Sequence, residues 1–257
     1  MKNKTHPFLY FVLILAVVSL ACSSLAGGGG APAATEVVVS EAPTIAPPPT
    51  QKPTDVPLPP TAVPPTVGPQ EFFTEEFGTG SDQTSWAYYT LGSGEDANLM
   101  IEPSDDGLLF DLGDEDLYVY YIYDARTYRD AKLTLVAENQ GRNNNNVSLV
   151  CRFNADESRW YEYSFESGGL WYLYAYHEGY RTLDYGGSND LKQGKAINEY
   201  GLTCEGNVIT MYINGNLLKS YTDRTYEFNE GQVGFNISSL NVLPIIVDVK
   251  SFDIALP

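Results

Sequence analysis

The sequence predicts an all-β chain, an antiparallel two-sheet jelly-roll sandwich over residues 70–257. Three observations carry this. Apolar residues alternate with polar ones in short runs, and no run keeps a helical period. Clusters of Gly, Asn and Asp separate the runs at sandwich-like spacing. Aromatic residues make up 13% of the chain and include 19 tyrosines, and these suit half-buried pleated surfaces.

Two segments come first. Lys2 and Lys4 form a basic start, and Phe8 to Ala21 is apolar apart from Ser19. This is the layout of an export signal, shorter than a comfortable membrane span. Ala21 directly before Cys22 resembles the bacterial lipobox, which implies a signal peptide over residues 1–21 and diacylglycerol on the Cys22 sulfur. Ser19 stands where that pattern prefers Leu, so simple secretion and an uncleaved anchor stay open. The expected location is the extracellular face of the cell membrane, held by lipid alone, with the secreted form as alternative.

Residues 22–69 read as a disordered linker: Gly27 to Gly30, then a stretch rich in Pro, Thr, Ala and Val, as in Pro47-Pro48-Pro49-Thr50. It has too little apolar surface to offset chain entropy. In polyproline II form the 39 residues from Ala31 to Pro69 reach at most on the order of 100 Å, enough to lift a domain off a membrane.

From Gln70 the composition changes and strands follow. Leu117 to Tyr123 comes first, then Ala131 to Glu138 with Leu133, Leu135 and Ala137 on one face. Val147 to Phe153 sets Val147, Leu149, Cys151 and Phe153 against Ser148 and Arg152. Arg159 to Glu166 sets Tyr161, Tyr163 and Phe165 inward and Trp160, Glu162, Ser164 and Glu166 outward. Gly168-Gly169 turns the chain into Leu170 to Tyr176, a hairpin partner. Val208 to Ile213 runs into Asn214-Gly215, the strongest turn signal present, because a type I′ turn needs positive φ at both positions. Strands near Gln232 to Ile237 and Ile245 to Ala255 complete about a dozen. Cys151 and Cys204 both sit at inward positions and should pair in an oxidising compartment, with two separate thiols as the alternative. Closing that loop is worth about 4 kcal/mol in the chain-entropy model.

The succession Cys151-Arg152-Phe153, Tyr161-Glu162-Tyr163-Ser164-Phe165, Gly169-Leu170-Trp171-Tyr172, Ile209 to Gly215 and Gly231-Gln232-Val233-Gly234-Phe235 resembles the concanavalin A-like lectin/glucanase superfamily. Its laminin-G-like and keto-disaccharide-hydrolase-like modules are nearest in pattern, and Phe73 to Phe77 with Trp86 resembles their start. The resemblance spans nearly the whole domain through strand cores and glycine corners, so it implies the jelly roll and little about activity.

Net charge is −18 with only 15 Lys and Arg, which offers phosphate backbones no attraction and excludes nucleic acid as a natural partner. The Glu-x-Asp-x-x-Glu strand motif of the superfamily's retaining glucanases is missing. Glu162 and Glu166 share a face but stand about 13 Å apart, beyond the usual catalytic pair, and read as solvated sheet-face carboxylates, with pairing to a carboxylate on another strand left open. His177 reads as a hairpin-end histidine. The acidic loops around Asp105-Asp106, Asp111 and Asp114-Glu115-Asp116, with Asn143 to Asn146, supply oxygens for a structural Ca2+ but match no 12-residue calcium loop. No cofactor is expected.

The better candidate is aromatic: Trp160, Glu162, Tyr172, Tyr174 and Tyr176 as an open, acidic patch. Rings would stack on sugar C–H faces while the carboxylate accepts hydroxyl bonds. Packing of these rings under a loop or sheet is the alternative, since a one-residue slip exchanges the faces. The expected function is a surface-displayed, lipid-anchored, non-catalytic module for carbohydrate or another extracellular polymer. A saccharide hydrolase or lyase and a structural or adhesive domain are the alternatives.

Overall fold

A computed structural model describes residues 72–154, 156 and 159–257. The signal, Cys22 and the linker over 22–69 lie outside them. Fifteen strands follow in order: β1 (Phe73–Glu76), β2 (Trp86–Gly92), β3 (Leu99–Pro103), β4 (Leu108–Leu112) and β5 (Leu117–Tyr128). Next come β6 (Ala131–Asn139), β7 (Asn145–Phe153), β8 (Arg159–Glu166), β9 (Leu170–His177) and β10 (Tyr180–Gly187). The series ends with β11 (Ile197–Glu205), β12 (Val208–Ile213), β13 (Asn216–Thr222), β14 (Gly231–Ser239) and β15 (Ile245–Ala255). One 3-10 turn, Asp96–Asn98, is the only helical segment among the described residues.

The strands form two antiparallel sheets. One has eight strands in the order β13-β12-β11-β6-β15-β4-β3, with β1 on the free half of β15. The other has seven, in the order β10-β9-β8-β7-β14-β5-β2. Their inner faces enclose a core in which Leu133, Leu135, Tyr161, Tyr163, Phe165, Ile209, Met211, Phe235 and Phe252 are buried. This is the jelly-roll sandwich that the alternation implies.

The Cys151–Cys204 disulfide forms, over a sequence separation of 53. It joins β7 in one sheet to β11 in the other, so it staples the two layers through the core. Asn214 and Gly215 have φ of 49° and 76°, the left-handed pair that a type I′ hairpin between β12 and β13 needs.

One face assignment on β7 reverses. Arg152 takes φ of 56°, and the β7–β14 register shifts between Gln232 and Gly234. The extra residue flips the alternation. Arg152 is therefore buried, donating to the carbonyls of Phe228 and Gly206 at 2.6 Å each and of Arg129 at 3.2 Å. Phe153 turns to the opposite face of the sheet, away from Cys151.

Candidate functional site

The face of the seven-stranded sheet turned away from the core holds the predicted residues. Strand register builds it row by row. Glu162 on β8 lies opposite Tyr174 on β9 and Val150 on β7, and Trp160 lies opposite Tyr176, which pairs in turn with Tyr180 on β10. Alternation along β8 and β9 thus placed Trp160, Glu162, Tyr172, Tyr174 and Tyr176 on one common face.

It did not place them all in solvent. Trp160 is 1% exposed and Glu162 3%, so neither belongs to an open patch, and Glu162 is not a solvated sheet carboxylate. The cause is a second apolar layer on this face: Tyr120, Ile122, Val150, Phe153 and Trp160 are buried, with Tyr89, Leu91, Tyr118 and Tyr176 packed over them. Tyr176 covers Trp160 with ring centroids 3.9 Å apart and planes within 4°. Large rings on adjacent strands reach one another across a sheet, and each hides its neighbour from water.

Above this layer a pocket of about 180 Å³ opens, lined by Tyr118, Asn146, Glu162, Ser164, Tyr174 and Tyr180. Glu162 is its buried base. Its Oε2 accepts the Tyr120 hydroxyl at 2.8 Å, the Trp160 indole N–H at 3.2 Å and the Tyr180 hydroxyl at 3.3 Å. Tyr120 and Tyr180 also touch hydroxyl to hydroxyl. All three of these donors meet at Oε2 and none at Oε1.

Burial pushes the Glu162 carboxyl above the usual carboxylate range, and the Tyr120, Trp160, Ser148 and Tyr180 donors hold that rise back. Ser148 contributes although its hydroxyl makes no hydrogen bond of normal geometry. Burial, then the Glu162 charge, pushes the Tyr174 and Tyr180 phenols well up. They stay protonated donors at neutral pH.

Beside this base the sheet carries polar atoms that no described residue satisfies. Asn146 Oδ1, Ser238 Oγ and both amide atoms of Asn236 are buried without a partner among the described residues. Cross-strand pairing sets Ser238 against Asn146 and Asn236 against Ser148. An unmade buried hydrogen bond costs about 1–3 kcal/mol, so such a group calls for water or a ligand.

The tyrosines continue outward from the pocket. Tyr174 meets Tyr180 edge-on at 5.2 Å and lies parallel to Tyr172 at 5.6 Å; Tyr172 then faces Tyr185 at 6.4 Å. Tyr185 is 71% exposed. Tyr172, Tyr174 and Tyr176 are half-buried and form the accessible part of the predicted set. His177 lies at the exposed end of β9, as its hairpin position implies.

Sequence reasoning missed Tyr118, Asn146, Ser164 and Tyr180 as lining residues and Asn236 and Ser238 beside them. A signal was present: polar residues alternate on β7 and β14, which lie in the middle of a sheet where apolar ones are expected.

A larger hollow of about 430 Å³, lined by Val136, Lys192, Ile197, Asn198, Glu199, Asn214 and Gly215, is an open depression of another kind. Its polar groups already serve the fold. Asn198 exchanges bonds with the Lys192 backbone, and Asn214 donates to Asn198 Oδ1 and to the Asp190 carbonyl. Two of the loop carboxylates are likewise spent on turns, Asp114 accepting the Glu95 amide and Asp116 the Ser93 amide and hydroxyl, while Asp106 pairs with Lys250. Among the described residues no three His, Cys, Asp or Glu gather as a metal site.

No protein-family model matches the chain, and no curated protein is significantly similar to it. Solved structures do match. A Bacillus subtilis protein of unknown function with a galectin-like fold aligns at TM-score 0.58 and 14% identity, over 72% of this chain and 94% of its own. A glycoside hydrolase family 16 endo-glucanase from Bacteroides ovatus aligns at 0.54 and 10%, over 71% and 99%. The Bacillus licheniformis β-glucanase aligns at 0.52 and 12%, over 73% and 99%. The domain shares the two-sheet jelly-roll fold of these structures. At these identities the likeness speaks for the fold alone.

Proposed function

We propose that this domain is a non-catalytic carbohydrate-binding module whose site is the tyrosine-walled pocket over Glu162. We place it outside the cell, held by a lipid on Cys22 and spaced from the membrane by residues 31–69. The observation that carries the reading is the pocket itself: a buried carboxylate and the unsatisfied Asn146 amide oxygen between half-buried tyrosine rings, with unsatisfied Asn236 and Ser238 on the strand beside it. Sugars meet both demands at once, with hydroxyls for the polar base and C–H faces for the rings. The volume lies below the ~300–1,000 Å³ of drug-sized sites, so it takes one sugar ring rather than a length of chain. Tyr172 and Tyr185 then extend the contact to neighbouring units. Two of the structural neighbours are named as glucanases, which agrees with a glycan ligand.

Glycoside hydrolysis needs two carboxylates about 5–9.5 Å apart across the scissile bond. Glu162 is the only carboxylate among the pocket's lining residues, so the site suits binding better than cleavage. The test is a glycan panel read by calorimetry with the parent chain and Tyr174→Ala. Tyr174 is half-buried and outside the core, so this variant folds, and it should weaken binding about tenfold or more. Binding that Tyr174→Ala leaves untouched would place the ligand elsewhere.

A further inference from the structure

We propose that the sugar this pocket takes carries an ammonium group, so that the ligand is an amino sugar with a free amine, held by Glu162 inside a cage of Tyr118, Tyr174 and Tyr180. The inference rests on the carbohydrate reading above and narrows its ligand class.

Its first support is a comparison among the three buried carboxylates, Glu162, Asp223 and Asp248. Asp248 is paired with Lys250 at 2.8 Å. Asp223 accepts the backbone amides of Thr225, Tyr226 and Glu227 and the Tyr161 hydroxyl. Each has a cation or a full set of amide donors. Glu162 has neither. Its donors at normal hydrogen-bond geometry are two phenols and one indole, all on Oε2, and no lysine, arginine or histidine pairs with it among the described residues. A buried carboxylate without a counter-ion is unfavourable, and a cationic ligand removes that deficit. Burial raises the Glu162 carboxyl accordingly, as expected of an acid whose cation is missing.

The second support is the arrangement of the walls. Tyr174 and Tyr180 stand 5.2 Å apart at 67°, and Tyr118 and Tyr180 stand 6.4 Å apart at 42°. Rings set at such angles enclose a volume instead of forming a flat platform. Aromatic faces around a cation are attractive through the ring quadrupole, and a carboxylate at the base adds the opposite charge. The domain's acidity favours the same ligand: with a chain charge of −18, uronate and sulfated sugars are repelled and cationic ones are drawn in.

The experiment titrates the full-length chain near neutral pH with three oligosaccharides of equal length. One is built of glucosamine, one of N-acetylglucosamine and one of glucose. The glucosamine oligomer should bind about tenfold or more tightly than either neutral one. Glu162→Gln should erase that preference while removing a single charge, and Tyr118→Phe should retain it where Tyr118→Leu does not. Phe keeps the ring, so this pair separates a cage wall from a residue that merely supports the fold. Equal or better binding of a neutral oligomer overturns the amino-sugar proposal and leaves the carbohydrate site standing. No binding of any sugar overturns both. A glucosamine preference that survives Glu162→Gln is general attraction to an acidic surface and also overturns the proposal.

Discussion

Replacing Trp160 by Ala separates its two possible roles, support beneath the site or contact with the ligand. Trp160 is fully buried, stacked under Tyr176 at 3.9 Å and flanked by Tyr120 and Phe153 at 5.2 Å each. Truncating a buried tryptophan costs about 3–5 kcal/mol through lost transfer energy and a residual cavity. The indole donor to Glu162 is also lost, which adds roughly 1 kcal/mol or more. For a domain of this size each kcal/mol moves the melting temperature about 2–4 °C, so the expected fall is roughly 10–20 °C. Trp160→Phe keeps a ring under Tyr176 and loses mainly the indole donor, and it should fall by a few degrees, roughly 2–8 °C. Differential scanning calorimetry reads the melt, and glycan titration well below it reads the site. A melt unchanged by Trp160→Ala together with abolished binding would refute the argument, because it would make Trp160 an exposed contact.

Two other outcomes follow from the same geometry. Replacing Cys151 and Cys204 by Ala removes a cross-sheet staple over 53 residues; the loss of about 4 kcal/mol should lower the melt by roughly 8–16 °C without moving the glycan affinity. Burial raises the Glu162 carboxyl in the folded state, so its contribution to stability is complete below the unfolded value of 4.5 and is lost as pH rises through the folded one. Glu162→Gln should therefore melt higher than the parent near neutral pH, with the gap closing on acidification below that value; a gap that widens there would contradict the sign of the shift.

What the sequence shows of this fold is its local part. Alternation on β8 separates Trp160 from Tyr161, the type I′ pair at Asn214 and Gly215 marks a hairpin, and the two inward cysteines meet across the sheets. Edge strands carry weaker signals. β13 has no buried residue and therefore no alternation to read, and β10 is broken by a register shift between Thr182 and Asp184. The site was visible as a face but not as a depth. Trp160 disappears from solvent because Tyr176 of the next strand lies over it, which is a fact of register and ring size. Asn236 meets Ser148 only because β14 pairs with β7, and that pairing joins segments far apart in the chain. Arg152 shows the limit of period-two reading, since one left-handed residue reverses the faces after it.

The most direct test of the Glu162 pocket follows the indole N–H signals of the chain's three tryptophans during titration with the glycan that binds in the panel. Trp160 donates its indole proton to Glu162, whereas Trp86 and Trp171 point into the core between the sheets. The account predicts that the Trp160 signal shifts with the binding curve while the other two stay in place. A ligand that saturates while Trp160 remains still, or that moves Trp86 or Trp171 instead, would contradict it.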